Sequence, residues 1–568
     1  MRRKLTALFM AGILLCISGC QSRKVSTNSE NITPTLPIVN IAEEKQATAT
    51  KEPTQVPTET PTPFVPEKEQ PKMTVTELSE AWEERYSEIT LSKTLKKMGY
   101  DTPVMTQRLG ADPYAMVYDG RVYLYMTGDV LEYTNKKVSS NTYSRINTIA
   151  VVSSDDLVNW TDHGTIYAAG RNGASKWGNN SWAPAACYKE IDGKTKFFLY
   201  FANNGNGIGV LTADSPTGPF TDPLGCALIS RKTPNCGNVE WLFDPAVLID
   251  DDGSAYLYFG GGVPAGKDAH PQTARVVKLG SDMISIEGEP QTIDAPFLFE
   301  DSGINKIGDT YYYSYCTNWN VESHKDEAAE YGFRNAEIAY MTSKSPMGPF
   351  TYAGVVLKNP GVYYGCYGNN HHCMFSYQGE WYITYHTQML EAAMNISGGY
   401  RATGITKINV REDGTVERVE KANRQMLTQK KPLNPYFQTE AETMATMGGL
   451  NTVQEGLQSI NCGSGNMALS EIHTGDWLAL YGVDFGDEGA QSFSANVRAK
   501  EGVTGIIQLR LDRTDGEVIG YLQIGEHMDN EYHESSAKLL RKVCGEHDLV
   551  MVFAGEGYFV DSWRFDHE

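Results

Sequence analysis

The 568-residue chain contains no Cys-x-x-Cys pair, no excess of positive charge and only one long apolar run. Without closely paired cysteines, a zinc ribbon or a thioredoxin-type redox site is excluded. The 49 Lys and Arg are outnumbered by 70 Asp and Glu, a net charge of −21. That balance argues against nucleic-acid binding, which depends on cationic side chains neutralising phosphates. No Gly-rich phosphate loop, Ser/His/Asp order or zinc-ligand spacing appears either. What is abundant is glycine (54) and tyrosine (32), the currency of tight turns and half-buried strands. The composition points to an all-β, multidomain protein with a neutral ligand.

The one apolar run, Leu5 to Ile17, follows Arg2, Arg3 and Lys4 and is too short for a stable membrane span. Ile17-Ser18-Gly19-Cys20 resembles a bacterial lipobox, so residues 1–20 are expected to be a lipoprotein signal, with lipid attached at Cys20. Residues 21–72, rich in Thr, Pro and Glu, form an expected disordered linker. The chain would then sit on the outer face of the cell membrane, touching lipid only through its anchor, or be secreted. Cys226/Cys236 and Cys366/Cys373 are spaced for short disulfides outside the cell, with buried free thiols the equal alternative.

Within a lead-in at 73–104, Leu78, Trp82 and Tyr86 stand four apart and predict a helix over 76–86. From 105 onward one unit recurs: a distinctive residue, an apolar stretch, a Gly turn, then an aromatic strand. Asp112 precedes Gly120 and Tyr123-Leu124-Tyr125; Asp244 precedes Gly253 and Tyr256-Leu257-Tyr258. Glu300 precedes Gly308 and Tyr311-Tyr312-Tyr313, and His371 precedes Gly379 and Trp381-Tyr382. A looser copy begins at Ser181-Trp182-Ala183-Pro184. Ser215-Pro216-Thr217-Gly218-Pro219-Phe220 recurs as Ser345-Pro346-Met347-Gly348-Pro349-Phe350. Five such units predict a five-bladed β-propeller over 105–433, whose inner strands converge on one axial pocket.

The starts of the repeats bring Asp112, Trp182, Asp244, Glu300 and His371 to that pocket. Carboxylates gathered there repel one another, so chemistry explains them better than structure does. Glycoside hydrolysis by inversion needs one carboxylic acid to protonate the leaving oxygen and one carboxylate to activate water. Glu300, preceded by Pro296-Phe297-Leu298-Phe299, is the candidate acid, because apolar surroundings raise a carboxyl pKa. Asp112 is then the base and Asp244 the group that keeps the acid protonated. Trp182 would stack on a sugar or pack between blades.

Ala111-Asp112-Pro113-Tyr114, Ser181-Trp182-Ala183-Pro184, Phe243-Asp244-Pro245-Ala246 and Phe299-Glu300 resemble glycoside hydrolase family 43 in motif and order over about 105–425. The resemblance implies a five-bladed propeller, inverting chemistry and an α-L-arabinofuranosidase or β-xylosidase activity that needs no cofactor. It gives Asp112, Asp244 and Glu300 the roles above and implies that Arg401 pairs with the modulator Asp244. It also sets His371 on the axis, as a pocket residue beside a calcium ion or as a core histidine. Retaining, invertase-like relatives of the fold carry Asn-Asp-Pro-Asn and Arg-Asp-Pro, which this chain lacks.

From 434 to 568 the pattern becomes that of a β-sandwich, with alternating strands at 492–497, 506–511 and 549–553. Thr439-Glu440-Ala441-Glu442, Gly475-Asp476-Trp477 and Val560-Asp561-Ser562-Trp563 resemble family 6 carbohydrate-binding modules of jelly-roll fold. That resemblance implies a structural Ca²⁺ held by Glu440, Glu442 and Asp566. The module lacks the usual cleft Trp, and Phe559 stands near the usual Asn, so the fold is expected without the usual sugar cleft. The whole chain reads as a glycosidase releasing terminal α-L-arabinofuranosyl or β-D-xylosyl units from arabinoxylan. The alternative is a non-catalytic surface propeller that binds glycans.

Overall fold

The computed structural model describes residues 83–422, 424–455, 466–525 and 528–568. The expected signal segment, Cys20 and the expected 21–72 linker lie outside them, as does most of the expected lead-in helix; residues 83–87 are helical, with Tyr86 buried. The described residues belong to one compact, all-β unit.

Five antiparallel sheets follow one another along the chain. Their first strands are Ala111–Tyr118, Trp182–Ile191, Ala246–Ile249, Leu298–Ile307 and His372–Tyr377. Sheets two to four are four-stranded, sheet five has three strands, and sheet one gains a fifth from the C-terminal region. Each is built as the repeat predicts: a first strand, a Gly turn in the left-handed region (Gly120, Gly193, Gly253, Gly308, Gly379), and an aromatic return strand. First strands pack in sequence order, and that of sheet five packs back on Ala111–Tyr118, closing a ring. The repeated Ser-Pro-x-Gly-Pro-Phe turn ties neighbouring sheets together. Tyr125 Oη of sheet one donates to Pro216 O, and Tyr258 Oη of sheet three donates to Pro346 O, each at 2.6 Å.

Two further sheets enclose an apolar core containing Leu480, Phe493, Ile507, Phe553, Trp563 and Phe565. The predicted strands appear as Ala490–Ala499, Gly505–Leu511 and Glu546–Gly555. This region is joined to the ring through buried polar contacts. Thr443–Met444 pairs with the outer strand of sheet one, Trp160–Tyr167. Asn159 donates to Tyr481 O at 2.9 Å and accepts from Tyr481 N–H at 2.9 Å, held by Asp156 at 2.7 Å. Asp162 accepts from Arg108 at 2.6 Å and from Thr452 at 2.8 Å. The seven described cysteines, including Cys226, Cys236, Cys366 and Cys373, are free thiols, so neither short disulfide is formed.

Asn159→Ala removes the partner of the Tyr481 N–H and one of the two donors to its carbonyl, which keeps Gln429 Nε2 at 3.0 Å. The expected cost is about 1–3 kcal/mol. It should appear as a lower Tm in calorimetry, with kcat unchanged because the pocket is untouched.

Candidate active site

The pocket is shaped by backbone bulges at the starts of the first strands. The ladder slips between Ala111 and Tyr114, between Trp182 and Ala185, and between Glu300 and Gly303. Inside each slip one non-glycine residue adopts positive φ: Asp112 (47°), Ala183 (37°) and Asp301 (73°), with Asp244 (51°) at the matching place in sheet three. A left-handed residue in a bulge turns its side chain out of the alternation, a device common beside functional sites. The sequence repeat aligns Glu300 with Asp112 and Asp244. The backbone aligns Asp301 with them instead and sets Glu300 one position earlier, level with Ala111, Trp182 and Phe243. The extra residue of the bulge hides this slip from a count of spacings.

Asp112, Asp244 and Asp301 surround His371. Its Nδ1 lies 3.6 Å from Asp112 Oδ1 and 3.8 Å from Asp244 Oδ2, and its Nε2 lies 3.2 Å from Asp301 Oδ1. Burial lowers the His371 pKa despite these carboxylates. Asp301, fully buried, also binds His372: Oδ2 accepts from the His372 N–H at 3.0 Å and meets Nδ1 at 2.5 Å, while Nε2 reaches Ser314 Oγ at 2.7 Å. The Asp301 N–H donates to Asp244 Oδ2 at 3.0 Å.

Arg401 does not pair with Asp244, as the resemblance implies, but with Asp112 and Asp129. Its Nη1 donates to Asp112 Oδ1 at 2.8 Å, and Asp129 takes Nη2 at 2.7 Å and Nε at 3.0 Å. The reason lies in ring closure. The Arg401 carbonyl accepts from the Gly110 N–H at 3.1 Å, which fixes Arg401 beside sheet one and two sheets away from Asp244. His386 Nδ1 lies 2.8 Å from the same Asp112 oxygen.

These neighbours drive the carboxyl groups apart. Burial would raise Asp112, but Arg401, then His371 and His386, outweigh it and hold the group well below the usual carboxylate range. Asp244 is pushed well above that range by burial and by the charges of Asp112 and Asp301. Glu300 is also pushed well above it, by burial first and then by Asp244, Asp112 and Asp301. Gly261 makes room for Glu300. A Cβ at Gly261 would sit 2.6 Å from Phe299 O, 2.7 Å from the Phe243 ring and 3.2 Å from Glu300 Cα.

Trp182 stands one residue back from this cluster. Its Nε1 donates to Tyr143 O at 3.0 Å, its ring meets Tyr143 edge-on, and the Tyr143 ring lies 5.1 Å from the Arg401 guanidinium. Sequence reasoning missed Asp129, Tyr143, Asp301 and His386. Asp129 lies two residues past the return strand Arg121–Thr127 and His386 near the end of Glu380–Thr387, where return strands meet the starts of first strands, so the Tyr-rich strands themselves carried a signal. In the C-terminal region, Glu440 faces Ser562 across a strand pair, and Glu440 and Glu442 feel the charge of Asp561. Asp566, four residues further along that strand, is roughly 13 Å away and lies 3.5 Å from Arg564. The acidic partner of the glutamates is therefore Asp561, not Asp566. Among the described residues no three His, Cys, Asp or Glu side chains converge as a metal cage, and both His371 nitrogens face carboxylates.

Residues 100–416 match the sequence model of Glycosyl hydrolases family 43. The chain belongs to that family. Residues 440–567 of this family 43 glycosidase match Carbohydrate binding module (family 6). It is 46% identical to an arabinoxylan arabinofuranohydrolase of Paenibacillus polymyxa, over 82% of this chain and 74% of that protein. It is likewise 46% identical to an arabinoxylan arabinofuranohydrolase of Bacillus subtilis (strain 168), over 84% of this chain and 94% of the relative. A crystal structure of a family 43 arabinoxylan arabinofuranohydrolase from Bacillus subtilis, in complex with cellotetraose, superposes with a TM-score of 0.77 at 45% identity, covering 84% of this chain and 99% of that one.

A glutamic acid held neutral in the fold but free to ionise when unfolded makes stability depend on pH. Glu300 has its folded pKa raised, so its contribution is complete below the unfolded value of about 4.3 and is lost as pH rises towards the folded value. Glu300→Gln removes that loss. Its Tm should exceed that of the native protein by a margin that grows from pH 4 to pH 7.5 in calorimetry.

Proposed function

We propose that this glycosidase is an inverting arabinoxylan arabinofuranohydrolase, removing α-L-arabinofuranosyl units from a xylan chain. The 46% identical relatives of that name support the substrate. The observation that carries the chemistry is the opposed protonation of two buried carboxyl groups. Asp112 is held ionised by Arg401, and Glu300 is held neutral by burial and by its acidic neighbours. Such a divided pair supplies a base and an acid at one pH. Glu300 donates its proton to the glycosidic oxygen as the bond to the anomeric carbon breaks. Asp112 takes a proton from the water that attacks the opposite face, so configuration inverts. Asp244 supports the acid, because ionising Glu300 beside it meets further negative charge.

The ring of five sheets serves this reading as a five-bladed β-propeller with the pocket on its axis, and the C-terminal sheets as a jelly roll. The sequence around Cys20 supports a lipid anchor that holds the enzyme at the outer cell surface. In the module, Glu442 Oε2 is buried without a hydrogen-bond partner, and burial and Glu440 push its carboxyl pKa well upwards. Glu440, Glu442 and Asp561 offer oxygens only, the ligand type Ca²⁺ takes; they do not converge as a cage in this structure, so the ion would have to draw them together to neutralise that cluster.

Incubation of residues 73–568 with arabinoxylan should release arabinose, and proton NMR of the first turnovers should show the inverted anomer. Glu300→Gln should be at least ~100-fold slower. Release of xylose instead, or of the retained anomer, overturns the reading. Adding Ca²⁺ should raise Tm and EDTA should lower it, and Glu442→Gln should respond less to either.

A further inference from the structure

Two side-chain donors are hydrogen-bonded to Asp112, and both meet the same oxygen. Arg401 Nη1 and His386 Nδ1 each lie 2.8 Å from Oδ1, and His371 Nδ1 lies 3.6 Å from it. A carboxylate oxygen has two lone pairs, so Arg401 and His386 fill Oδ1 and leave Oδ2 open. Each of these donors is itself anchored on its far side. The Arg401 N–H and Nε both donate to Asp129 Oδ2 at 3.0 Å, and Nη2 donates to Asp129 Oδ1 at 2.7 Å. Only Nη1 is turned towards Asp112. His386 Nε2 meets the Asn369 carbonyl at 2.7 Å.

That contact decides the protons. A carbonyl only accepts, so Nε2 carries a hydrogen. Nδ1 faces the Asp112 carboxylate at 2.8 Å, so the ring is held between that carboxylate and the Asn369 carbonyl. The Asp112 N–H also points at Nδ1, but from 3.4 Å, and the carboxylate is the nearer partner. The chain Asp129–Arg401–Asp112–His386–Asn369 is thus ordered from end to end, with its free valence at Asp112 Oδ2.

We propose that His386 and Asp129 are positioning residues that commit one oxygen of Asp112, Oδ2, to the attacking water. This rests on the reading of Asp112 as the base. Rotation of the carboxylate by half a turn exchanges its oxygens, and smaller rotations swing the free lone pair off the line of attack. Clamping Oδ1 from two sides prevents both, which matters because small errors in the placement of reacting groups are costly in rate. A loss of clamping reduces the fraction of bound complexes in which water is aligned. It lowers kcat while leaving substrate affinity in place.

The test uses two substitutions that divide the functions of the imidazole. In His386→Asn the amide nitrogen falls near the place of Nδ1 and keeps a donor for Asp112. In His386→Gln the amide reaches the place of Nε2 and serves Asn369 instead. Steady-state kinetics on arabinoxylan should show kcat lowered about 10- to 100-fold in His386→Gln, with KM nearly unchanged and most of kcat recovered in His386→Asn. Asp129→Asn, which releases the Arg401 fork, should lower kcat in the same way and provides the test if the His386 variants do not fold. Full kcat in both His386→Gln and Asp129→Asn overturns the proposal. So does an equal kcat in His386→Gln and His386→Asn that follows the loss of Tm, since that is what a merely structural histidine gives. Asp112→Ala separates the two levels. If it stays active, the base reading fails. If it is inactive but rescued by azide on an activated arabinofuranoside, the base reading stands and the His386 result judges the positioning alone.

Discussion

The Arg401–Asp112 ion pair sets the electrostatics of the pocket. Asp112, Asp244, Glu300 and Asp301 lie within reach of one another's fields in a buried space, where charges interact strongly. Arg401 fixes one negative charge on Asp112. With that charge in place, Asp244 and Glu300 are both held in the neutral form. The different protonation of similar groups therefore follows from where one guanidinium is anchored. Asp129, buried and bound to it through three donors, determines that place.

The ring makes this anchoring available. Arg401 comes from the last sheet and Asp112 and Asp129 from the first, so the ion pair forms only where the ends of the repeat meet. The same closure brings His386 onto Asp112. The backbone contributes as well: left-handed residues in the bulges redirect Asp112 and Asp301 at a steric cost that the surrounding ladders absorb. Trp182 and Tyr143 then buttress the guanidinium from the side of sheet two.

Much of this was legible in the sequence because the repeat ties chemistry to position. The Asp-Pro steps at 112 and 244, the Gly turns and the Tyr strands gave sheet order and the approximate place of the axis. What was not legible has physical causes. A bulge adds a residue without changing the look of a repeat, so Glu300 and Asp301 exchanged places in the alignment. The partner of Arg401 depends on closure between sheets far apart in sequence, which no local spacing encodes. Asp129 and His386 sit at the far ends of return strands, and attention to strand starts alone passes over them. The resemblance implied Asp566, but strand pairing sets Glu440 opposite Ser562, next to Asp561 and four residues from Asp566.

The short pairing of Thr443–Met444 with Trp160–Tyr167 has a consequence for how the chain behaves in company. The outermost strand of an open sheet offers unpaired amides to any passing strand, and proteins blunt such edges. In sheet two the outer strand is only Ile229–Ser230, and in sheet three it carries exposed Glu287 and Glu289. Trp160–Tyr167 has neither protection: it is eight residues long and mostly buried. The strand from the C-terminal region covers part of it, so that region shields the edge from edge-to-edge association. Removing the C-terminal region would uncover that edge as a template for strand pairing, a role independent of any sugar the module holds.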